Sequence, residues 1–288
     1  MKIIGILKDK KPTVSFEVFP PKTDSSFESV RLATEEIASL NPAFMSVTYG
    51  AGGGTSKYTL DIAKEIKDKY SVPSVAHLTC VSSTKEIVRD RINDIKASGI
   101  SNIMALRGDI PKDGALYPKD YKYAYQLVEE LRLFGDDFCI GGACYPEMHP
   151  ESASSEEDLT HLKEKVDCGL DFLTTQMFFD NEIYYNFLCK AKNKGIDIPI
   201  VPGVMPITSV TQIDRVVALS GSYLPNGFVE MVDKYGKNPE DMKRAGVDYA
   251  TRQIINLFEN GVTNVHVYSM NKPEVAKAIL SNISDIIL

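Results

Sequence analysis

SVAHLTCVSSTKEIVRDRINDIKASGISNIMALRGD, residues 74–109, carries the pattern that decides the fold. A short apolar run, Ser74–Cys80, is too brief for a helix and has the composition of a buried strand. Ser82, Ser83 and Thr84 then offer hydroxyl groups ahead of the amphipathic KEIVRDRINDIKASG, a helix start whose stop signal is Gly99. A second apolar run, Asn102–Arg107, follows. Strand, helix, strand in this order is the unit that joins two parallel strands through a crossover.

The same alternation continues in both directions. Upstream lie strand candidates Thr13–Phe19 and Phe44–Tyr49; downstream lie Phe138–Tyr145, Phe172–Phe178, Pro199–Val204 and Asn264–Ser269. Ser25 and Ser26 precede FESVRLATEEIASL, and Ser154 and Ser155 precede Glu156, Glu157 and DLTHLKEKVDCG, which stops at Gly169. Eight strands, each with a following helix, predict a single closed (β/α)8 TIM barrel rather than an open sheet, and no G-x-G-x-x-G fingerprint is present. The segment Ser220–Pro239 and the helical run Glu240–Glu259 exceed one repeat and predict extra helix before the eighth strand. No repeat, low-complexity tract or linker divides residues 1–288, so one domain is expected, a length such barrels commonly reach.

Composition sets outer limits. Apolar residues make up 43% and charged residues 25%, the balance of an ordinary globular protein. The first apolar run is too short for a signal peptide and no stretch approaches a membrane span, so a cytoplasmic protein is expected. The net charge of −7 disfavours nucleic acid or an anionic membrane as partner. Cys80, Cys139, Cys144, Cys168 and Cys189 form no C-x-x-C pair and read as reduced, mostly buried thiols. His77, His149, His161 and His266 show no metal-ligand spacing, and no metal is expected.

In a parallel barrel the chemistry gathers at the carboxyl ends of the strands. Those ends offer Glu17, Thr48 with Tyr49, His77, Arg107 with Asp109, Tyr145 with His149, Gln176, and Tyr268 with Asn271. Glu17 stands among Phe16, Val18 and Phe19; there it is either an acid whose pKa is raised by desolvation or a carboxylate paired with a cation. Arg107-Gly108-Asp109 either orients a ligand or makes a local salt bridge. The loop IPKDGALYPKDYK after it is either a lid or a solvated connection. His77 and His149 read as catalysts or as hydrogen-bonded structural groups. Gln176 suits the amide-like edge of a heterocycle, or the backbone. Lys163 and Lys165 either meet a pyrophosphate or line a solvated helix face.

Six segments in one order, VSFEVFPPKT, MSVTYGAGG, VAHLTC, IMALRGDIP, CYPEMHPE and TTQMFFD, resemble the strand-end motifs of methylenetetrahydrofolate reductases, and the likeness spans nearly the whole chain. The resemblance implies one catalytic barrel domain that binds FAD and reduces 5,10-methylenetetrahydrofolate to 5-methyltetrahydrofolate, a step of one-carbon metabolism. It implies Glu17 as the general acid that opens the folate's imidazolidine ring, and Asp109 as a charge near flavin and pterin. Gln176, Gln212 and Lys272 match substrate positions. Thr48, His77, Arg107, Gly108, Asp109, Tyr123, Ala124, Tyr145, His149, Asp158 and Lys165 match flavin positions. Val216 stands where some members carry an aromatic residue, Lys272 where they carry arginine, and Glu164 departs beside Lys165.

The implied electron donor is NADH, NADPH or an iron-sulfur partner subunit, in an oligomer of this chain alone or with a partner. The regulatory domain of longer members is not expected. Two other classes compete: a pterin-binding barrel methyltransferase without flavin, and a non-catalytic flavoprotein for electron transfer. Glu17, Asp109 and Gln176 argue against the latter.

Overall fold

The computed structural model describes residues 1–21, 23–49, 56–110 and 116–287. Strands β1 (Thr13–Val18), β2 (Met45–Val47), β3 (Ser74–Thr79), β4 (Asn102–Leu106), β5 (Cys139–Cys144), β6 (Phe172–Thr175), β7 (Ile200–Val201), β8 (Gly203–Val204) and β9 (Asn264–Tyr268) form one parallel sheet in the order β7-β6-β5-β4-β3-β2-β1-β9-β8. Segments β7 and β8 are the two halves of one barrel strand, divided at Pro202, which has no N–H to give to a ladder. The Pro202 carbonyl still accepts the His266 amide at 2.9 Å. Because β7 pairs with β6 while β8 pairs with β9, the broken strand closes an eight-stranded barrel.

Outside it run α2 (Phe27–Ala38), α3 (Ser56–Tyr70), α4 (Lys85–Ala97), α5 (Ala124–Leu133), α6 (Ser155–Asp167), α7 (Asn181–Asn193), α8 (Val210–Ser220), α9 (Asn226–Tyr235), α10 (Pro239–Glu259), α11 (Pro273–Asn282) and α12 (Ser284–Ile287), after a short α1 (Ile4–Leu7). The extra helix expected before the last strand is α9 together with α10. Two start signals act as read: the hydroxyls of Thr84 and Ser154 accept from the amides of Ile87 and Glu157, each at 3.2 Å. Ser26 does not, since its hydroxyl donates to the Thr23 carbonyl at 2.9 Å and α2 is entered through a 3-10 turn at Asp24–Ser26.

Alternation along the strands sorts side chains between two cores. Val14, Phe16 and Val18 of β1 belong to the large apolar layer between sheet and helices, whereas Ser15 and Glu17 face the barrel axis. At the amino end of the barrel, Ile3 and Leu7 flanking and ending α1 plug the interior against Phe44, Val75, Met104, Cys139, Phe172 and Val201. The Phe172 ring crosses so close to β5 that a Cβ at Gly141 would lie 2.2 Å from it, so this position admits only glycine. Asn102 ties the plug down: its side chain accepts from the Ile3 amide at 2.8 Å and donates to the Ser74 carbonyl at 3.0 Å. Burial of the Ile3 and Leu7 side chains contributes about 1.5–3 kcal/mol each. A third cluster, including Phe179, Ile207, Val216, Phe228 and Met242, packs α8, α9 and α10 beside the opposite end.

Candidate active site

At the carboxyl ends of the strands opens a cleft of about 390 Å³. Glu17, Thr48, His77, Gly108, Asp109, Tyr145 and Gln176 all line it, brought from six strands or the turns that follow them. Met104, Met205, Met270 and Tyr268 supply much of its remaining wall.

Glu17 lies at the level of Ser46 on one neighbouring strand and Tyr268 on the other. Burial raises its pKa to about 8, against the opposing effect of a hydrogen bond with Ser46. The source of this burial corrects the sequence reading: Phe16 and Val18 point away toward the helices, and the walls of the cleft, which leave the side chain 21% exposed, withdraw most of the carboxyl from water. The facing nitrogen, Nε2 of His77, is 3.7 Å away. It brings no cation at neutral pH, because burial pushes the His77 pKa down to about 4. That same Nε2 is buried without a hydrogen-bond partner among the described residues.

Beneath Glu17 the polar chain continues. Ser46 Oγ lies 3.0 Å from His266 Nε2, His266 Nδ1 lies 2.7 Å from Ser15 Oγ, and Ser15 Oγ donates to the Val265 carbonyl at 3.1 Å. His266 is buried, stacked on Phe44, and its pKa is pushed down to about 3 by desolvation, so its ring is neutral and one nitrogen donates while the other accepts. One assignment satisfies each group. Protonated Glu17 donates to Ser46, Ser46 donates to Nε2, Nδ1–H donates to Ser15, and Ser15 donates to the carbonyl. An ionised Glu17 would instead accept from Ser46 with the His266 tautomer reversed; that bond opposes the effect of burial, and desolvation prevails.

The sequence reading missed Ser15, Ser46 and His266 as parts of the site. The signal was there: Ser15 and His266 each stand two residues before a strand-end residue, Glu17 and Tyr268, and thus on the same inward face.

Gln176 turns its carbonyl oxygen to the Met177 amide at 3.0 Å, which leaves its NH2 as the group to offer a ligand. Asp109 is exposed on the rim. The expected alternative of an Arg107–Asp109 salt bridge is replaced by another pair: the Arg107 guanidinium grips Glu151 bidentately at 2.6 and 2.7 Å. Between them Gly108 has φ +85°, and a Cβ there would come 2.8 Å from that of Thr79.

Over the ends of β4 and β5 stand further predicted residues that do not line the cleft. Tyr123 and Ala124 open α5. The His149 ring meets Tyr145 edge-on at 4.6 Å, and burial lowers its pKa. Asp158 accepts from Ser152 Oγ at 3.0 Å. Lys165 is turned inward, donating to the Ala143 carbonyl, and burial lowers its pKa too, whereas Lys163 makes a helix-surface pair with Asp167. On the far rim Gln212 Oε1 accepts from the amides of Thr208 and Ser209 at 2.8 and 3.1 Å, capping α8, and Lys272 Nζ reaches Thr208 Oγ1 at 2.6 Å. Val216 is buried in the satellite core. The proposed lid and the GAGG motif include residues 111–115 and 50–53, which lie outside the described residues. Among the described residues no cluster of His, Cys, Asp and Glu has metal-binding geometry, and no helix is long and apolar enough to cross a membrane.

A closed parallel barrel with a buried carboxylic acid at its carboxyl-end cleft has the architecture of an α/β-barrel enzyme. Residues 2–284 match the family described as methylenetetrahydrofolate reductase, and the chain belongs to that family. It is 39% identical to the 5,10-methylenetetrahydrofolate reductase of Pectobacterium carotovorum, over 92% of this chain and 88% of that one. Identity to the enzyme of the same name from Escherichia coli is 37% with the same coverage. Identity to methylenetetrahydrofolate reductase (NADH) 1 of Arabidopsis thaliana is 33% over 98% of this chain, which spans 50% of that protein. Among solved structures, an uncharacterized protein from Clostridium thermocellum that binds two copies of 5-methyl-5,6,7,8-tetrahydrofolic acid superposes with a TM-score of 0.66 at 18% identity, covering 99% of this chain and 98% of that one, a likeness of fold.

Proposed function

We propose that this protein reduces 5,10-methylenetetrahydrofolate to 5-methyltetrahydrofolate with FAD as its cofactor, as one catalytic domain over residues 1–288. The observation that carries the reading is Glu17, an acid held neutral up to about pH 8 in a cleft of a methylenetetrahydrofolate reductase family barrel. The residues present suit a flavin dinucleotide. His77 Nε2, without a hydrogen-bond partner among the described residues, offers a polar contact inside the cleft, and Arg107 with the inward-turned Lys165 brings beside it two cationic side chains of the kind a pyrophosphate needs. FAD, when bound, supplies the hydride.

Glu17 donates its proton to a ring nitrogen of the folate, which assists opening of the five-membered ring. Burial in the cleft holds the acid in its protonated form until then, against the hydrogen bond with Ser46. Asp109 places a negative charge at the rim, favouring the cationic iminium that ring opening generates. The NH2 of Gln176 donates to an acceptor on the pterin edge, with Gln212 and Lys272 at the outer rim for the rest of the molecule. NADH, NADPH or an iron-sulfur partner subunit restores the reducing equivalents, in a cytoplasmic oligomer.

An anaerobic visible spectrum of the purified protein, recorded before and after addition of 5-methyltetrahydrofolate, tests this reading. A flavin spectrum that bleaches supports it. Flavin that stays oxidised points to an electron-transfer protein, and a protein that takes up no flavin even from added FAD points to a methyltransferase.

A further inference from the structure

We propose that Glu151 is the internal occupant of an anion site built on Arg107, and that a phosphate group of an incoming ligand must displace its carboxylate to bind. The proposal rests on the cofactor reading above and extends it to how the cofactor is admitted.

Arg107 leaves the carboxyl end of β4 just before the left-handed turn at Gly108, so its guanidinium stands over the rim beside the cleft. Its planar fork meets Glu151 through two charge-assisted hydrogen bonds of 2.6 and 2.7 Å. A carboxylate and a phosphate present this fork with the same geometry, two oxygens in one plane, and the phosphate brings more charge. Glu151 comes from a separate element, the turn between β5 and α6. That turn is held independently of Arg107: the Glu151 amide donates to His149 Nδ1 at 3.1 Å, the Ser152 amide to the His149 carbonyl at 3.0 Å, and Ser152 Oγ to Asp158. The carboxylate can therefore swing away without unravelling the backbone that carries it.

Solvent access makes the exchange feasible. The Glu151 side chain is 57% exposed and that of Arg107 22%, so one partner is already largely in water while the other stays fixed at the rim. Solvent screening leaves this half-exposed pair open to exchange, and the carboxylate neutralises a guanidinium that would otherwise stand unpaired at the rim. The carboxylate holds Arg107 in place while the site is empty and competes with the phosphate when ligand arrives, and for Glu151 the second effect dominates the affinity.

Titration of the flavin-free full chain with FAD and with riboflavin, followed by flavin fluorescence, and with inorganic pyrophosphate by calorimetry, tests this in wild type and Glu151→Gln. The variant is expected to bind FAD and pyrophosphate about three- to five-fold more tightly, with riboflavin, which carries no phosphate, unchanged. Weaker or unchanged binding of both phosphate compounds would overturn the proposal and make Glu151 a residue that positions Arg107. Equal tightening toward riboflavin would overturn it as well, since the effect would then not depend on phosphate. If wild type takes up no FAD while Glu151→Gln still tightens pyrophosphate, the cofactor reading falls and the anion site stands.

Discussion

The two ends of the barrel use the same alternation of side chains to opposite effect. At the amino end, the inward positions Val75, Cys139, Phe172 and Val201 close on Ile3 and Leu7, and the polar Asn102 is fully employed in pinning the plug. At the carboxyl end, inward positions carry Glu17, His77 and His266, one nitrogen has no partner among the described residues, and burial holds the carboxyl neutral. One end is built for stability, the other holds groups in states that water would not allow.

That contrast would break most visibly at Glu17. Glu17→Gln should slow folate reduction by about 10³-fold while flavin reduction by the donor stays within about two-fold, as separate anaerobic stopped-flow measurements of the two half-reactions would show. Comparable losses in both would remove its role as the folate's acid. The same variant sharpens the stability side. Folded Glu17 keeps its proton to about pH 8, whereas in the unfolded chain it loses it near 4.5. Between those values the unfolded state binds fewer protons, so this group lowers stability as pH rises. Urea melts at pH 5 and pH 8.5 should show Glu17→Gln gaining on wild type toward the higher pH, by on the order of 1–2 kcal/mol.

At the other end, Ile3→Ala should lower the unfolding free energy by about 2–4 kcal/mol with the folate rate constant unchanged. A large rate loss in the folded variant would mean the ends are not independent. A smaller effect is expected at the rim, where Asp109→Asn should slow folate reduction about ten-fold and raise the flavin potential by on the order of 20–30 mV, measured by dye equilibration. An unchanged potential would confine Asp109 to the substrate. Smallest of all is Ser46→Ala: losing the hydrogen bond that favours ionisation should move the alkaline limb of the folate half-reaction upward from about pH 8 by less than about one unit.

Much of the barrel could be read along the chain because each strand is short, apolar and followed by an amphipathic helix. All eight strand positions are occupied as expected, with ends trimmed by a few residues. The break at Pro202 was not foreseen, although a proline inside a run of a central strand was a warning. Within the site, Glu17 stood out as a charge in an apolar strand, but for the wrong neighbours, since adjacent residues of a strand face opposite ways. Arg107 was visible and its partner was not: Glu151 lies in a turn 44 residues away, and no local pattern announces it. Gln212 matched a substrate position by motif, while locally it has a second task as the cap of α8.

By itself the amino-acid order determined which segments are strands and helices, that they repeat as a parallel barrel, and which end carries the polar residues, because periodicity and capping are local and the barrel is their repetition. Only the tertiary structure decided that Ser15, Ser46 and His266 form a chain beneath Glu17, that His77 faces it uncharged, and that Arg107 answers to Glu151. Those are contacts between strands and turns distant in sequence, and the pKa of a buried group is set by what the closed barrel leaves around it.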